Sequence, residues 1–180
     1  MSYYRRAKTS GCYFFTVVSY QRQKILCDFE IRQALRQAII KTRRKYPFTI
    51  DAWVLLPDHL HCIWTLPEGD ANFSIRWALI KREVSLLCPQ YKQNQWMTVS
   101  KKKHRESTLW QRRFWEHQIR DQDDFNHHLD YIHFNPVKHS LCENPKLWIY
   151  SSFHRYVKAG KYPQNWSSGG LDKDQKEYGE

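Results

Sequence analysis

Two apolar runs separated by only two residues constrain the fold of this chain more than any other feature. The runs 48–56 and 59–66 are rich in β-branched and aromatic residues, and only Pro57 and Asp58 lie between them. Two such runs with a two-residue connection are typical of a β-hairpin. We therefore predict that the two strands pair antiparallel and lie centrally in a sheet.

The rest of the sequence supplies two further strands and three helices. Apolar residues recur at strand or helix spacing, and turn or capping residues separate the segments. The segments are a strand at 12–19, a helix at 29–45 that Asp28 can cap, a helix at 73–87, a strand within 110–120, and a helix that follows 121–124 and ends at Pro136. This order predicts an α+β, ferredoxin-like split βαβ fold, in which an antiparallel sheet carries helices on one face and an added C-terminal helix.

Length and composition indicate a single domain. A chain of 180 residues is too short for two domains of ordinary size, so we predict one domain over 1–166. The polar, basic stretch 88–108 is expected to be a mobile loop, and 167–180 a flexible polar tail. The chain has no Cys-x-x-Cys pair and no apolar run of ~18 residues, which argues against a zinc ribbon and against a membrane span. We expect a cytoplasmic protein.

The charge of the chain favours a polyanionic partner. Lys and Arg number 29 against 18 Asp and Glu, and they are interleaved with 8 Trp and 11 Tyr, a mixture that suits unpaired nucleic-acid bases. A basic protein with a large aromatic core would show the same composition. Each basic candidate for a phosphate contact could equally be a solvated surface charge. These candidates are Arg5, Arg6, Lys8, Arg76, Lys81, Arg82, Arg112 and Arg113.

Two histidines in the second strand of the hairpin could hold a metal ion. His59 and His61 are two residues apart, so both side chains leave the strand on one face, while Leu60 and Cys62 leave it on the other. An imidazole pair of this kind can bind one cation, or it can be an ordinary pair of strand histidines. His117, near the fourth strand, could orient a ligand from behind or assist a proton transfer, or it could be a partly buried histidine.

A tyrosine on the last predicted helix could supply a nucleophile. Tyr131 and Asn135 are one helical turn apart and share a face. A phenol close to a hard cation can attack a phosphate, because the metal offsets the charge that develops on the phosphoryl oxygens. The same tyrosine could be a core residue, and Asn135 could cap the helix before Pro136.

Three segments in a fixed order resemble one known family. The segments AWVLLPDHLHCIWTLPEGDANFSIRW, WQRRFWEHQIRD and HLDYIHFNPVKHSL, the last followed by WIYSSFHRY, are similar to those of the REP-associated tyrosine transposases. These belong to the HUH endonuclease superfamily, together with the small single-strand transposases. The resemblance extends from about Tyr3 to Trp166. It implies that His59 and His61 bind the metal, that Tyr131 is the nucleophile, and that Asn135 is the third ligand.

The resemblance also implies a reaction and a substrate. With Mg²⁺ or Mn²⁺ bound, Tyr131 would attack a single-stranded DNA beside the hairpin of a repetitive extragenic palindrome, giving a 5′-phosphotyrosine and a free 3′-hydroxyl that can rejoin the strand. The resemblance further implies a monomeric protein associated with the bacterial nucleoid. Where the family often has Gly after the VKH motif, this chain has Ser140, a change expected to affect a turn and not the chemistry.

Four other interpretations compete with this one. A histidine-triad hydrolase needs a third histidine where Ile63 stands, and a two-histidine phosphoesterase needs a second, similar motif that the sequence lacks. An RNA-recognition module could share the split βαβ topology, but its aromatic consensus is missing. The remaining alternative is a non-catalytic nucleic-acid-binding module descended from a transposase.

Overall fold

A computed structural model describes residues 11–104, 106–167 and 178 of the chain. The predicted strands and helices are present, and two short helices were not predicted, one at 99–103 and one near the C-terminus. In chain order the elements are β1 (Cys12–Val18), α1 (Phe29–Lys45), β2 (Thr49–Leu55), β3 (His59–Thr65), α2 (Phe73–Leu87), α3 (Val99–Lys103), β4 (Trp115–Gln118), α4 (Gln122–Lys138) and α5 (Phe153–Lys158).

The four strands form one antiparallel sheet in the order β2-β3-β1-β4. This order and the connections confirm the predicted α+β class and match the ferredoxin-like split βαβ topology, in which each helical connection spans one intervening strand. The hairpin of β2 and β3 is present as predicted. Its expected central position holds for β3 alone, because β2 is at the edge of the sheet.

The two faces of the sheet pack against different helices. Side chains alternate along β1, so Phe15 and Val17 join a core with α1 and α2, whereas Phe14 joins a second core with α4. In the first core Trp64 of β3 stacks on Trp77 of α2 with ring centroids 4.2 Å apart. Helices α1 and α2 thus cover one face, as predicted, and the added helix α4 covers the other.

Helix α4 extends past Pro136, contrary to the prediction that it ends there. Pro136 has no backbone N–H, so the helix loses one hydrogen bond at that position, yet it continues to Lys138. The amides of His139 and Leu141 donate to the carbonyls of Asn135 and Pro136 and satisfy the last turn. Ser140 then adopts a φ of 57°, the left-handed conformation that favours glycine. The longer helix brings Lys138 onto the face that carries Tyr131.

The basic stretch 88–108, predicted to be a mobile loop, contains two short 3-10 helices and α3. Trp96 lies against Tyr20, and the ammonium of Lys101 sits 3.9 Å from the centroid of the Tyr20 ring. Local aromatic and cation–π contacts therefore hold this segment in place, although its polar and basic composition did not predict any regular structure. The mobility of this segment stays a prediction. Among the described residues, no helix is long and apolar enough to span a membrane.

Candidate active site between the sheet and helix α4

The two histidines of β3 lie side by side on the sheet face that α4 covers. Both are buried, and their ring centroids are 4.9 Å apart. Leu60 and Cys62 belong to the opposite core, as the strand alternation predicted. A buried pair of imidazoles on one face is the arrangement that a shared metal ion requires.

Asp58 fixes the orientation of His59. The Nδ1 atom of His59 lies 2.7 Å from Oδ1 of Asp58, and Arg22 donates to the other carboxylate oxygen at 3.1 Å. Burial opposes ionisation of Asp58, but hydrogen bonds and charges from His59 and Arg22 outweigh it and hold its pKa at about 2. With a carboxylate at Nδ1, the ring lone pair of His59 is on Nε2, which is buried and makes no hydrogen bond within the described part of the chain.

Thr16 fixes the orientation of His61 in a similar way. The two residues are cross-strand partners between β1 and β3, and Thr16 Oγ1 lies 2.8 Å from His61 Nδ1. The hydroxyl proton of Thr16 is donated to the carbonyl oxygen of Tyr178 at 2.6 Å. The Nδ1–H of His61 must then donate to the hydroxyl, so the lone pair of this ring is also on Nε2.

Tyr131 lies next to His61, which is the relation that the sequence predicted. The ring centroids of the two side chains are 5.2 Å apart, and the tyrosine is buried. Lys138, two helical turns further on, donates from Nζ to the Tyr131 hydroxyl oxygen at 3.3 Å. An ammonium group in this position favours a phenolate over a phenol.

The C-terminal half of α4 faces the two histidines. Asn135 is fully buried one turn after Tyr131, and His139, just beyond the helix, has its ring centroid 5.1 Å from that of His59. The Nε2 lone pairs of the two imidazoles are donors suited to a borderline or hard divalent cation, and the Asn135 carboxamide lies on the helix that faces them. The residues present therefore fit a metal ion, and the orphaned Nε2 of His59 is the observation that supports this fit.

A second group of polar side chains lies beside this site, between β4 and the first turns of α4. Oδ2 of Asp124 accepts from His117 Nε2 at 2.8 Å and from the amide of Arg120 at 3.0 Å. His128 stacks on His117, with ring centroids 4.7 Å apart. Ligand atoms of His117, Asp124 and His128 lie within 4.8 Å of one another, so these three residues could also hold a metal ion.

Charge and hydrogen bonding hold this second group in place. Burial raises the pKa of Asp124, but hydrogen bonds from His117 and Arg120 and the charge of His117 outweigh that effect and bring it to about 2. Burial lowers the pKa of His128, whose Nδ1 lies 2.8 Å from the backbone carbonyl oxygen of Asp124. His117, predicted as a candidate support for the metal histidines, is thus part of this neighbouring group.

The basic candidates for DNA contacts separate into buried and exposed residues. Arg76 is fully buried and bonded to Asp70 at 2.6 Å and to backbone carbonyls, so this prediction is corrected: its donors are used inside the fold. Lys81 is partly buried and donates to the carbonyl of Gln111, and burial lowers its pKa to about 8. Three of the candidates are exposed, namely Arg82, Arg112 and Arg113. Arg5, Arg6 and Lys8 lie outside the described residues.

Comparison with known proteins decides the family. No family model matches the chain. A REP-associated tyrosine transposase of Escherichia coli (strain K12) is 44% identical over 173 residues, which cover 96% of this chain and 94% of the relative. A Haemophilus influenzae protein of the same family name is 48% identical over 174 residues, covering 92% of this chain and 93% of that protein. The chain belongs to the REP-associated tyrosine transposases.

A solved structure agrees with this assignment. A REP-associated tyrosine transposase bound to a REP hairpin superposes on this transposase with a TM-score of 0.82 and 43% identity, covering 100% of this chain and 98% of that one. The α+β fold and the tyrosine transposase class, both expected from the sequence, are thereby confirmed.

Several residues of this candidate site were not predicted from the sequence. Lys138 was missed, although it lies seven residues after Tyr131. His128 was expected not to align with Tyr131 and was given no role, although a position three residues earlier on a helix is near the same face. Asp58 could have been found because a carboxylate next to a metal-type histidine often orients it. Thr16 gave no signal, since its partnership with His61 depends on the register of two strands that are distant in sequence.

Proposed function

We propose that this transposase binds the hairpin of a repetitive extragenic palindrome and cuts the adjacent single strand, with Tyr131 as the nucleophile and His59, His61 and Asn135 as ligands of Mg²⁺ or Mn²⁺. The observation that carries the proposal is that the ring centroids of Tyr131 and His61 are 5.2 Å apart. In the same site, contacts at the Nδ1 atoms of His59 and His61 put both imidazole lone pairs on Nε2. The related transposase whose solved structure is bound to a REP hairpin supports the substrate class.

The proposed chemistry conserves the energy of the phosphodiester. The Tyr131 oxygen attacks phosphorus and loses its proton to solvent, while the bond to the 3′-oxygen breaks. The leaving 3′-oxygen takes up a proton from solvent, which gives a 5′-phosphotyrosine and a free 3′-hydroxyl. The Lys138 ammonium, 3.3 Å from the attacking oxygen, stabilises the phenolate. A divalent ion, when bound, polarises the phosphoryl oxygen. Attack by a 3′-hydroxyl on the phosphotyrosine rejoins the strand.

The proposed enzyme acts as a monomer on a chromosomal strand of a bacterium. Tyr131 and His61 meet within one chain, so no second copy is needed to complete the site. Arg82, Arg112 and Arg113 are exposed, and a guanidinium on the surface can hold a phosphate of the incoming strand without reading its sequence.

The experiment is incubation of the protein with an end-labelled REP hairpin oligonucleotide in Mg²⁺ or Mn²⁺. We expect a nicked product and a protein–DNA adduct that survives denaturation. Both are lost in Tyr131→Phe, and both are greatly reduced in His59→Ala. Tyr91→Phe is the matched control, because the Tyr91 hydroxyl that it removes bonds Asp28 and Glu30 on the opposite side of the sheet.

Two outcomes contradict parts of this proposal. If Tyr131→Phe cuts as fast as the wild type, Tyr131 is not the nucleophile. Binding of the hairpin by the wild type without any cutting, in either metal, favours the alternative of a non-catalytic module descended from a transposase.

A further inference from the structure

Four rings enclose a space beside Tyr131 that the proposed reaction does not use. Phe14 and Trp115 come from adjacent strands of the sheet, and His128 and Tyr131 come from α4. Phe14 contacts each of the other three rings, with ring centroids 4.8 Å from His128, 5.7 Å from Trp115 and 6.1 Å from Tyr131. We call these four residues the aromatic box.

The ring of Tyr178, close to the C-terminus of the chain, occupies the aromatic box. Its centroid is 4.6 Å from His128, 4.7 Å from Tyr131 and 5.8 Å from both Phe14 and Trp115. Its backbone carbonyl accepts from Thr16, the residue that orients His61. The aromatic box therefore accommodates one planar ring, and it does so in contact with the proposed nucleophile.

We propose that the aromatic box is a binding site for an unpaired DNA base next to the scissile phosphate, an inference that rests on the proposed function. A phosphate attacked by Tyr131 brings its own nucleotides into contact with the tyrosine ring, and the space beside that ring is the aromatic box. Bases of every type have π faces, and aromatic side chains hold unpaired bases by stacking. The base takes the place of the Tyr178 ring.

His128 adds a polar feature that suits a base better than a phenol. Its Nδ1 donates to the carbonyl oxygen of Asp124, so the lone pair is on Nε2, which is buried and has no hydrogen-bond partner among the described residues. The Tyr178 ring leaves this acceptor unsatisfied. Each DNA base carries at least one N–H group on its edge, so a base in the aromatic box offers a donor of the kind this nitrogen lacks.

The test uses hairpin substrates with a single abasic site placed in turn at nucleotides around the nick. Loss of the base at one of the two nucleotides that flank the nick should lower kcat/KM by about 5- to 150-fold, the effect of losing one stacked base. Trp115→Ala should lower kcat/KM on the intact substrate and abolish the penalty for the abasic one. Trp96→Ala, which removes a tryptophan packed on Tyr20, should keep the penalty.

Results of two kinds would overturn the aromatic box as a base site. One is cutting of every abasic substrate within about twofold of the intact one, well below the loss expected for one stacked base. The other is a full abasic penalty in a Trp115→Ala protein whose circular dichroism spectrum matches the wild type.

A fluorescence measurement covers the case in which Trp115→Ala does not fold. The protein carrying Tyr131→Phe binds a substrate with 2-aminopurine at the sensitive position, and stacking in the aromatic box should quench its fluorescence. Unchanged fluorescence in the bound complex refutes the base site. Absence of nicking by the wild type would contradict the proposed function itself. Nicking that does not depend on any flanking base would contradict only the base site in the aromatic box.

Discussion

Replacing the carboxylate of Asp124 by an amide tests how the first turn of α4 is held to the sheet. The side chain is only 6% exposed and accepts hydrogen bonds from His117 and Arg120. The Asp124→Asn variant keeps the shape but removes the charge, and its amide group faces these donors. We expect the variant to be less stable than the wild type at pH 7.

The magnitude follows from the pKa of Asp124, which is lowered from 3.8 to about 2 in the folded protein. At about 1.36 kcal/mol per pKa unit, the folded state gains about 2 kcal/mol from ionisation of this carboxyl. Because the folded pKa is depressed, the gain is complete above about pH 5 and is lost as the pH falls toward about 2, with roughly half remaining at about pH 3. For a chain of this length, a loss of about 2 kcal/mol should lower the melting temperature of the variant by about 4–8 °C.

Urea unfolding of both proteins at pH 7 and pH 3 measures this difference. Asp123→Asn is the matched control, since Asp123 is exposed in the same turn and its charge contributes at most about 1 kcal/mol at the helix N-terminus. Equal unfolding midpoints for Asp124→Asn and Asp123→Asn at pH 7 would refute the reasoning. So would a gap between wild type and Asp124→Asn that stays constant from pH 7 to pH 3.

Three further perturbations follow from the site. Asp58→Ala removes the acceptor that orients His59 and should weaken Mn²⁺ binding by about 10–100-fold in calorimetric titration. Lys138→Met removes the ammonium that lies 3.3 Å from the Tyr131 hydroxyl oxygen and should slow single-turnover nicking about fivefold. This rate change corresponds to about 1 kcal/mol, the interaction energy expected for an exposed charge at that distance. Tyr178→Ala empties the aromatic box and should lower KM for the hairpin substrate in steady-state nicking.

Controls keep these three results specific. Asp51→Ala removes a carboxylate bonded to Thr65 and should leave the Mn²⁺ affinity unchanged, so equal weakening by both aspartate variants would contradict the role given to Asp58. Lys138→Arg should recover most of the nicking rate, because it restores a cation. A KM in Tyr178→Ala equal to that of the wild type would mean that the substrate does not displace this ring.

Short-range regularities in the sequence determined a large part of this protein. The alternation of β3 put His59 and His61 on one face, and the one-turn spacing on α4 aligned Tyr131 with Asn135. Both follow from the local geometry of strand and helix, which a few neighbouring residues specify. The order of the elements was enough to predict the ferredoxin-like sheet, and three longer segments in a fixed order, which contain DHLH and LDYIHFNP, indicated the family.

Tertiary structure alone decided which side chains meet across the sheet. The register of β1 against β3 and β4 brings Thr16 to His61 and aligns it with Trp115, pairings between segments far apart in the chain. Burial likewise distinguishes Arg76, bonded inside the fold, from the exposed Arg82, although both are arginines of one helix. Strand register and burial depend on how the whole chain packs, so local sequence patterns do not specify them.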